Sequence, residues 1–204
     1  MVFKFLLISD GSSDATLIPI IKFALKSRFN AYDFIGERAD FYRVPNRPKT
    51  LHDKVVVGRD LYNPNIIFVH RDCEKDTIEN RYNEIDQALL NLDTTNLFKI
   101  VPLRMTEAWL MIDPMAIRLA VNNPNGTIKF SLPAAKSLEG IVDPKQYLES
   151  LLRMASELKG RRLDSLNTRR AIHLVADHIK DYTPLFNLTS FQSFLTQLDQ
   201  LVLQ

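Results

Sequence analysis

Val2-Phe3-Lys4-Phe5-Leu6-Leu7-Ile8-Ser9-Asp10-Gly11-Ser12-Ser13-Asp14 decides the fold. Residues 2–9 are nearly continuously apolar and stop at a turn rich in Gly and Ser, the pattern of a strand buried on both faces. From Ala15 the spacing changes, and Leu17, Ile20, Ile21, Ala24 and Leu25 fall on one helical face. Pro19 lies early in that stretch and predicts a late start or a kink. A doubly buried strand that feeds an amphipathic helix opens a parallel α/β unit.

Working outward, the alternation repeats. Residues 40–44 read as a second strand, ended by Pro45 and Pro48, and Pro48 suits the first turn of a helix running to about Leu61. Asn63-Pro64-Asn65 is a turn, and residues 66–69 are the third strand. Thr77 is placed to cap a helix over 78–92, which puts Ile78, Tyr82, Ile85, Leu89 and Leu92 on one face. Residues 97–103 are the fourth strand. A helix begins near Thr106, and Pro114 breaks it before 115–121. The expected fold class is therefore α/β, a Rossmann-like parallel sheet flanked by helices. The alternation ends near Val121 at the turn cluster Asn122-Asn123-Pro124-Asn125-Gly126. Helical spacing follows over about 144–158, 166–180 and 190–203. The organisation read from this is an α/β domain over 1–121 and a helical C-terminal appendage over 122–204.

Composition narrows the class. In 204 residues, 46% are hydrophobic, enough for a packed core rather than a disordered chain. The net charge of +2 neither demands nor excludes nucleic acid. One cysteine, Cys73, excludes an internal disulfide framework and a cysteine-rich zinc site, and points to a reducing cytoplasm. The first apolar run is too short for a signal peptide, and no stretch approaches a membrane span, so no membrane association is expected.

The acids carry the functional reading. Asp10 and Asp14 follow the first strand; Asp72, Glu74 and Asp76 follow the third; Glu107 follows the fourth. In a parallel sheet all three sets emerge at the carboxyl edge, where open α/β sheets place their ligand crevice. Carboxylates gathered there repel one another unless a cation lies between them. Mg²⁺ takes oxygen ligands and commonly accompanies phosphate. Continued extended geometry would put His70, Asp72 and Glu74 on one face, and the histidine would accommodate Mn²⁺ better than an all-oxygen set does. The plainer reading of each turn is punctuation between strand and helix, or a solvated charged loop. Cys73, facing the other way, reads as a small buried residue. An Asp that ends a first strand also serves as the phosphorylated nucleophile of haloacid dehalogenase-like phosphatases, but that pattern wants a second Asp where Ser12 stands.

Asp10-Gly11-Ser12-Ser13-Asp14 resembles the Glu-Gly-x-x-Asp turn of Toprim domains, the catalytic module of topoisomerases, primases and overcoming-lysogenization-defect nucleases. His70-x-Asp72-x-Glu74 resembles their Asp-x-Asp turn. Arg104-Met105-Thr106-Glu107-Ala108-Trp109-Leu110 is similar to the Glu-Ala-Trp-Leu segment of small bacterial Toprim-like proteins associated with ATPases in genome defence. The resemblance covers about the first half of the chain, and 122–126 and Asp143-Pro144-Lys145 in the tail are also similar to that group. It implies a Toprim-type central sheet, Asp10 as general acid or base, and Asp72 and Glu74 holding Mg²⁺. Asp14 matches the trailing Asp of the first turn. Asp10 is one methylene shorter than the family's Glu, about 1.5 Å of reach, and His70 replaces the first acid of the second turn.

The implied activity is Mg²⁺-dependent (or Mn²⁺-dependent) hydrolysis of nucleic-acid phosphodiesters in an antiviral defence setting with an ABC-type or related ATPase. The expected catalytic residues are Asp10, Asp72 and Glu107, and the expected metal ligands are Asp10, Asp14, His70, Asp72 and Glu74. The rival is a catalytically degenerate Toprim-like subunit that binds or regulates within an ATPase complex. Arg161, Arg162, Arg169 and Arg170 form the best basic cluster and are expected to face nucleic acid, since Arg contacts phosphate bidentately. Arg104 is a further candidate for an acid or a phosphate. Trp109 reads as a core anchor, and His173 and His178, five apart, are a poor metal pair.

Overall fold

The computed structural model describes residues 1–203. Four strands, β1 (Val2–Ile8), β2 (Asp33–Arg38), β3 (Ile66–His70) and β4 (Leu97–Ile100), form one sheet in the order β2-β1-β3-β4. Every pairing is parallel, with Phe5 opposite Ile66 and Phe68 opposite Phe98. The α/β reading with adjacent, parallel, central β1 and β3 is what the structure shows. All five residues of β3 are buried, as the apolar run predicted for a strand covered on both faces.

The chain divides into two compact units, Met1–Val101 together with the segment from Ser193, and Pro102–Gln192. In the first unit the sheet carries α1 (Leu17–Arg28), α2 (Leu51–Tyr62) and α3 (Ile78–Ala88). α1 buries Leu17, Ile20, Ile21, Ala24 and Leu25, the face its spacing defined. Pro19 sits in the first turn of α1, where a missing amide costs nothing, and a 3-10 turn over Ser12–Thr16 precedes it. Thr50 caps α2 by accepting the Asp53 amide, and Thr77 caps α3 by accepting the Asn80 amide.

The second strand is not where the sequence pointed. Residues 40–44 form a turn, because the Asp40 carboxylate accepts the Tyr42 amide at 2.9 Å and the Phe41 carbonyl accepts the Val44 amide. The strand is Asp33–Arg38, a charged edge whose inward residues are Phe34 and Gly36. A Cβ on Gly36 would lie 2.2 Å from the buried Phe5 ring, so glycine is required by that close approach.

α9 (Thr189–Leu198) crosses the division between units. From it Phe194 meets Phe68 edge-on at 5.8 Å. The Gln197 amide both accepts the Lys99 N–H and donates to the Lys99 carbonyl, each at 3.0 Å, and so occupies the outer edge of β4.

The second unit is helical: α4 (Glu107–Leu110), α5 (Pro114–Ala120), α6 (Pro144–Ser156), α7 (Arg161–Asp164) and α8 (Thr168–His178). Pro114 is the first residue of α5, and Asp113 caps it through the Met115 and Ala116 amides. α5, α6 and α8 pack together through Ile117, Leu148, Leu151, Leu152, Ile172 and Val175. Trp109 is fully buried, donates its indole N–H to Ser190 Oγ at 3.1 Å and meets Phe191 edge-on. It is a core anchor. Among the described residues no helix is long and apolar enough to cross a membrane.

Candidate functional site

The strand order reverses direction between β1 and β3, which makes their carboxyl ends the topological switch point of the sheet. The loop after β1 carries Asp10 and Asp14; the loop after β3 carries Asp72 and Glu74. The first loop is fixed by its own hydrogen bonds. The Gly11 amide donates to Asp14 Oδ2 at 3.0 Å, and Thr16 Oγ1 donates to the Ser13 carbonyl. Asp14 is thereby held at the mouth of the turn with Oδ1 turned toward β3.

Asp10, Asp14, His70, Arg71, Asp72 and Glu74 line one cavity of about 390 Å³. His70, the last residue of β3, is only 3% exposed. Its Nδ1 lies 3.0 Å from the Ile100 carbonyl, which can only accept, so Nδ1 carries the proton of that bond. Nε2 then faces the two loops, 3.5 Å from Asp72 Oδ1 and 3.9 Å from Asp14 Oδ1. A histidine with its rear nitrogen fixed on a carbonyl has its ring orientation set, here with the front nitrogen close to two carboxylates.

Extended geometry ends at His70. Glu74 takes a left-handed conformation with φ 53°, yet it still reaches the cavity wall. Cys73 is buried and donates its thiol to the Asp76 carbonyl.

Asp10 has a different neighbourhood. Lys54 Nζ, from the first turns of α2, lies 2.7 Å from Oδ1, and the Arg71 guanidinium pairs with Oδ2. Partial burial pushes the Asp10 carboxyl up, but the bonds and charges of Arg71 and Lys54 outweigh it and hold the group at about 2. Asp10 is therefore ionised at neutral pH, with both oxygens engaged by cations. Beyond it lies a second cavity rich in Arg and Lys, which shares Asp10 as its wall.

Among the described residues, no three His, Cys, Asp or Glu side chains gather tightly enough to form a protein-only metal cage. Mg²⁺ does not need one: it usually keeps several waters and binds through one or two carboxylates plus a substrate phosphate. Asp14 and Asp72, each with an oxygen within 4 Å of His70 Nε2, are the carboxylates on which that smaller requirement would draw. Asp10, occupied by Lys54 and Arg71, is not among them.

The other expected residues lie in the second unit. Glu107 is the first residue of α4 and is 8% exposed. Arg104 precedes it with a left-handed φ of 70°. Arg161 and Arg162 are exposed on α7, and Arg169 and Arg170 are exposed in the first turn of α8. Reading the sequence did not single out Lys54 or Arg71. Arg71 stands inside the motif, between His70 and Asp72, and its charge beside an acidic edge was a usable signal. Lys54 had none, because nothing local marks a helical lysine as the partner of an acid 44 residues away. Comparison with protein-family models, curated proteins and solved structures finds no match.

Proposed function

We propose that this chain hydrolyses nucleic-acid phosphodiesters with a divalent cation at the switch point of its sheet, as a Toprim-like nuclease. The observation that carries the reading is the meeting of Asp10, Asp14, His70, Asp72 and Glu74, from two separate loops, around one cavity. Asp14 and Asp72 would hold Mg²⁺ together with water and the substrate phosphate, and His70 Nε2, drawn in on binding, would be the nitrogen donor that makes Mn²⁺ acceptable. The bound ion would orient the scissile phosphate and stabilise its developing charge. Asp10, ionised and clamped, acts by holding Lys54 and Arg71 at the rim, where they face an incoming phosphate. Glu107, the exposed arginines of α7 and α8, an ABC-type or related ATPase partner, a cytoplasmic defence role and a supporting nucleic-acid surface belong to this same proposal.

The clamp on Asp10 favours a second reading, a catalytically degenerate subunit that binds or regulates within an ATPase complex. Calorimetric titration with Mg²⁺ and Mn²⁺, followed by cleavage assays on single- and double-stranded DNA and RNA, separates the two. The nuclease reading expects ion binding and cleavage by the wild type, and loss of both in Asp72→Asn with the fold intact. No ion binding and no cleavage, alone or with an ATPase partner, rejects it in favour of the second reading.

A further inference from the structure

On the far side of Asp10, between the carboxyl ends of β1 and β2 and the start of α2, lies a cavity of about 620 Å³. That is within the range of roughly 300–1,000 Å³ typical of small-ligand sites. Its cations come from three elements: Arg38 ends β2, Arg47 and Lys49 precede α2, and Lys54 lies in the second turn of α2.

Two carboxylates, Asp10 and Asp40, line the same cavity against the four cations Arg38, Arg47, Lys49 and Lys54, a formal excess of two positive charges. Asp10 is taken by Lys54 and Arg71, and Asp40 Oδ1 accepts the Tyr42 amide. Arg47 and Lys49 have no acidic partner among the described residues. The cavity therefore keeps uncompensated positive charge in a concave setting, which focuses the field on an anion.

An aromatic stands at the same place. Tyr42 lines the cavity and is 79% exposed, although its backbone is fixed. The Tyr62 hydroxyl accepts the Asp40 amide at 2.9 Å and donates to the Asp40 carbonyl at 3.1 Å, and Asp40 in turn holds the Tyr42 amide. Phe41 beside it is buried and anchors the turn. A large ring left in water on a pinned turn is set up to stack on a flat partner, and cations next to a stacking platform are the means by which proteins hold single strands.

We propose that this cavity is a nucleotide site, in which Arg38, Arg47 and Lys49 take a phosphate and Tyr42 stacks the adjoining base. The phosphate belongs to a single strand or to a free nucleotide; the chemistry is shared. The cavity adjoins the hydrolytic site through Asp10 and Lys54, but Arg38, Arg47, Lys49 and Tyr42 are neither its proposed metal ligands nor its rim cations.

The test is fluorescence anisotropy of a labelled, 5′-phosphorylated 12-nucleotide DNA strand in EDTA, across a salt series. EDTA removes hydrolysis, so failure here is distinguishable from failure of the nuclease reading. The double variant Arg47→Ala, Lys49→Ala should bind about ten-fold more weakly, and the slope of log affinity against log salt should fall by about 1.4, that is, about 0.7 for each lost contact. Tyr42→Ala should weaken binding roughly five- to hundred-fold, with Tyr42→Phe near wild type. Displacement by AMP but not by inorganic phosphate identifies a free nucleotide as a ligand, and displacement by unlabelled strand alone identifies the strand. All three positions are exposed, and circular dichroism checks that each variant folds. Absence of wild-type binding, or wild-type affinity and salt slope in both the double variant and Tyr42→Ala, overturns the proposal.

Discussion

Asp10→Asn keeps the shape of the side chain and removes its charge, which isolates what the Lys54–Asp10–Arg71 clamp does for stability. The carboxyl falls from 3.8 to about 2 on folding. At about 1.4 kcal/mol per unit this sets a ceiling of about 2.5 kcal/mol. The side chain is 61% exposed, so water screens much of that, and exposed ion pairs usually contribute about 0.2–1 kcal/mol. The expected loss at pH 7 is therefore about 1 kcal/mol. Arg71 retains Glu84 at 3.6 Å, whereas Lys54 loses its only acidic partner among the described residues. Because folding depresses this pKa, the stabilisation is full above the unfolded value near 4 and disappears as pH falls through about 2. Urea unfolding of wild type and variant at pH 7, 4 and 3 should give equal m-values and a gap that roughly halves by pH 3. A gap of the same size at every pH, or none at pH 7, would refute the clamp as an electrostatic device.

Four further expectations concern other parts of the chain. His70→Asp should shift ion preference from Mn²⁺ toward Mg²⁺ in a calorimetric titration; unchanged preference would remove His70 Nε2 from the ligand set. Replacing Arg161, Arg162, Arg169 and Arg170 with Ala should lower the salt slope of duplex binding by up to about 3–4, and an unchanged slope assigns these arginines elsewhere. Gly36→Ala drives a Cβ into the Phe5 ring, which is 2% exposed and has no room to swing away. It should cost about 1–3 kcal/mol, read as a lower thermal midpoint, and an unshifted midpoint contradicts the close approach. Trp109→Phe should lose about 1–3 kcal/mol in urea, from the indole bond to Ser190 and lost volume; a loss within about 0.5 kcal/mol, as for an ordinary surface change, would deny Trp109 its anchoring role.

Where burial dominates, the sequence could be read directly. β3 is buried throughout and β1 from Phe5 to Ile8, so their runs are apolar but for the exposed Lys4 and the terminal His70, and the five inward residues of α1 repeat at helical spacing. β2 escaped because an edge strand needs few apolar residues: Phe34 is its one strongly buried side chain, while the aromatic stretch 40–44 imitated a strand. The candidate site was legible to the same degree. Asp10, Asp14, His70, Asp72 and Glu74 could be placed at one edge from their positions after parallel strands. The ion pairs on Asp10 could not, because Lys54 reaches it across the first unit by tertiary placement. Likewise, nothing local in Arg47, Lys49 and Tyr42 says that they share a cavity.

The Gln197 amide on the outer edge of β4 has a consequence for the order in which the protein is made. The four strands leave the ribosome long before α9 does. At about 5–20 residues per second, the stretch between β4 and Ser193 takes roughly 5–20 s to synthesise. Through that interval the backbone of Lys99 lies open on an edge strand, the kind of edge that recruits other strands. The nascent sheet is thus most adhesive while it is still tethered. Shortening that interval, by faster translation of the intervening residues, should raise the soluble yield without changing a single contact of the finished fold.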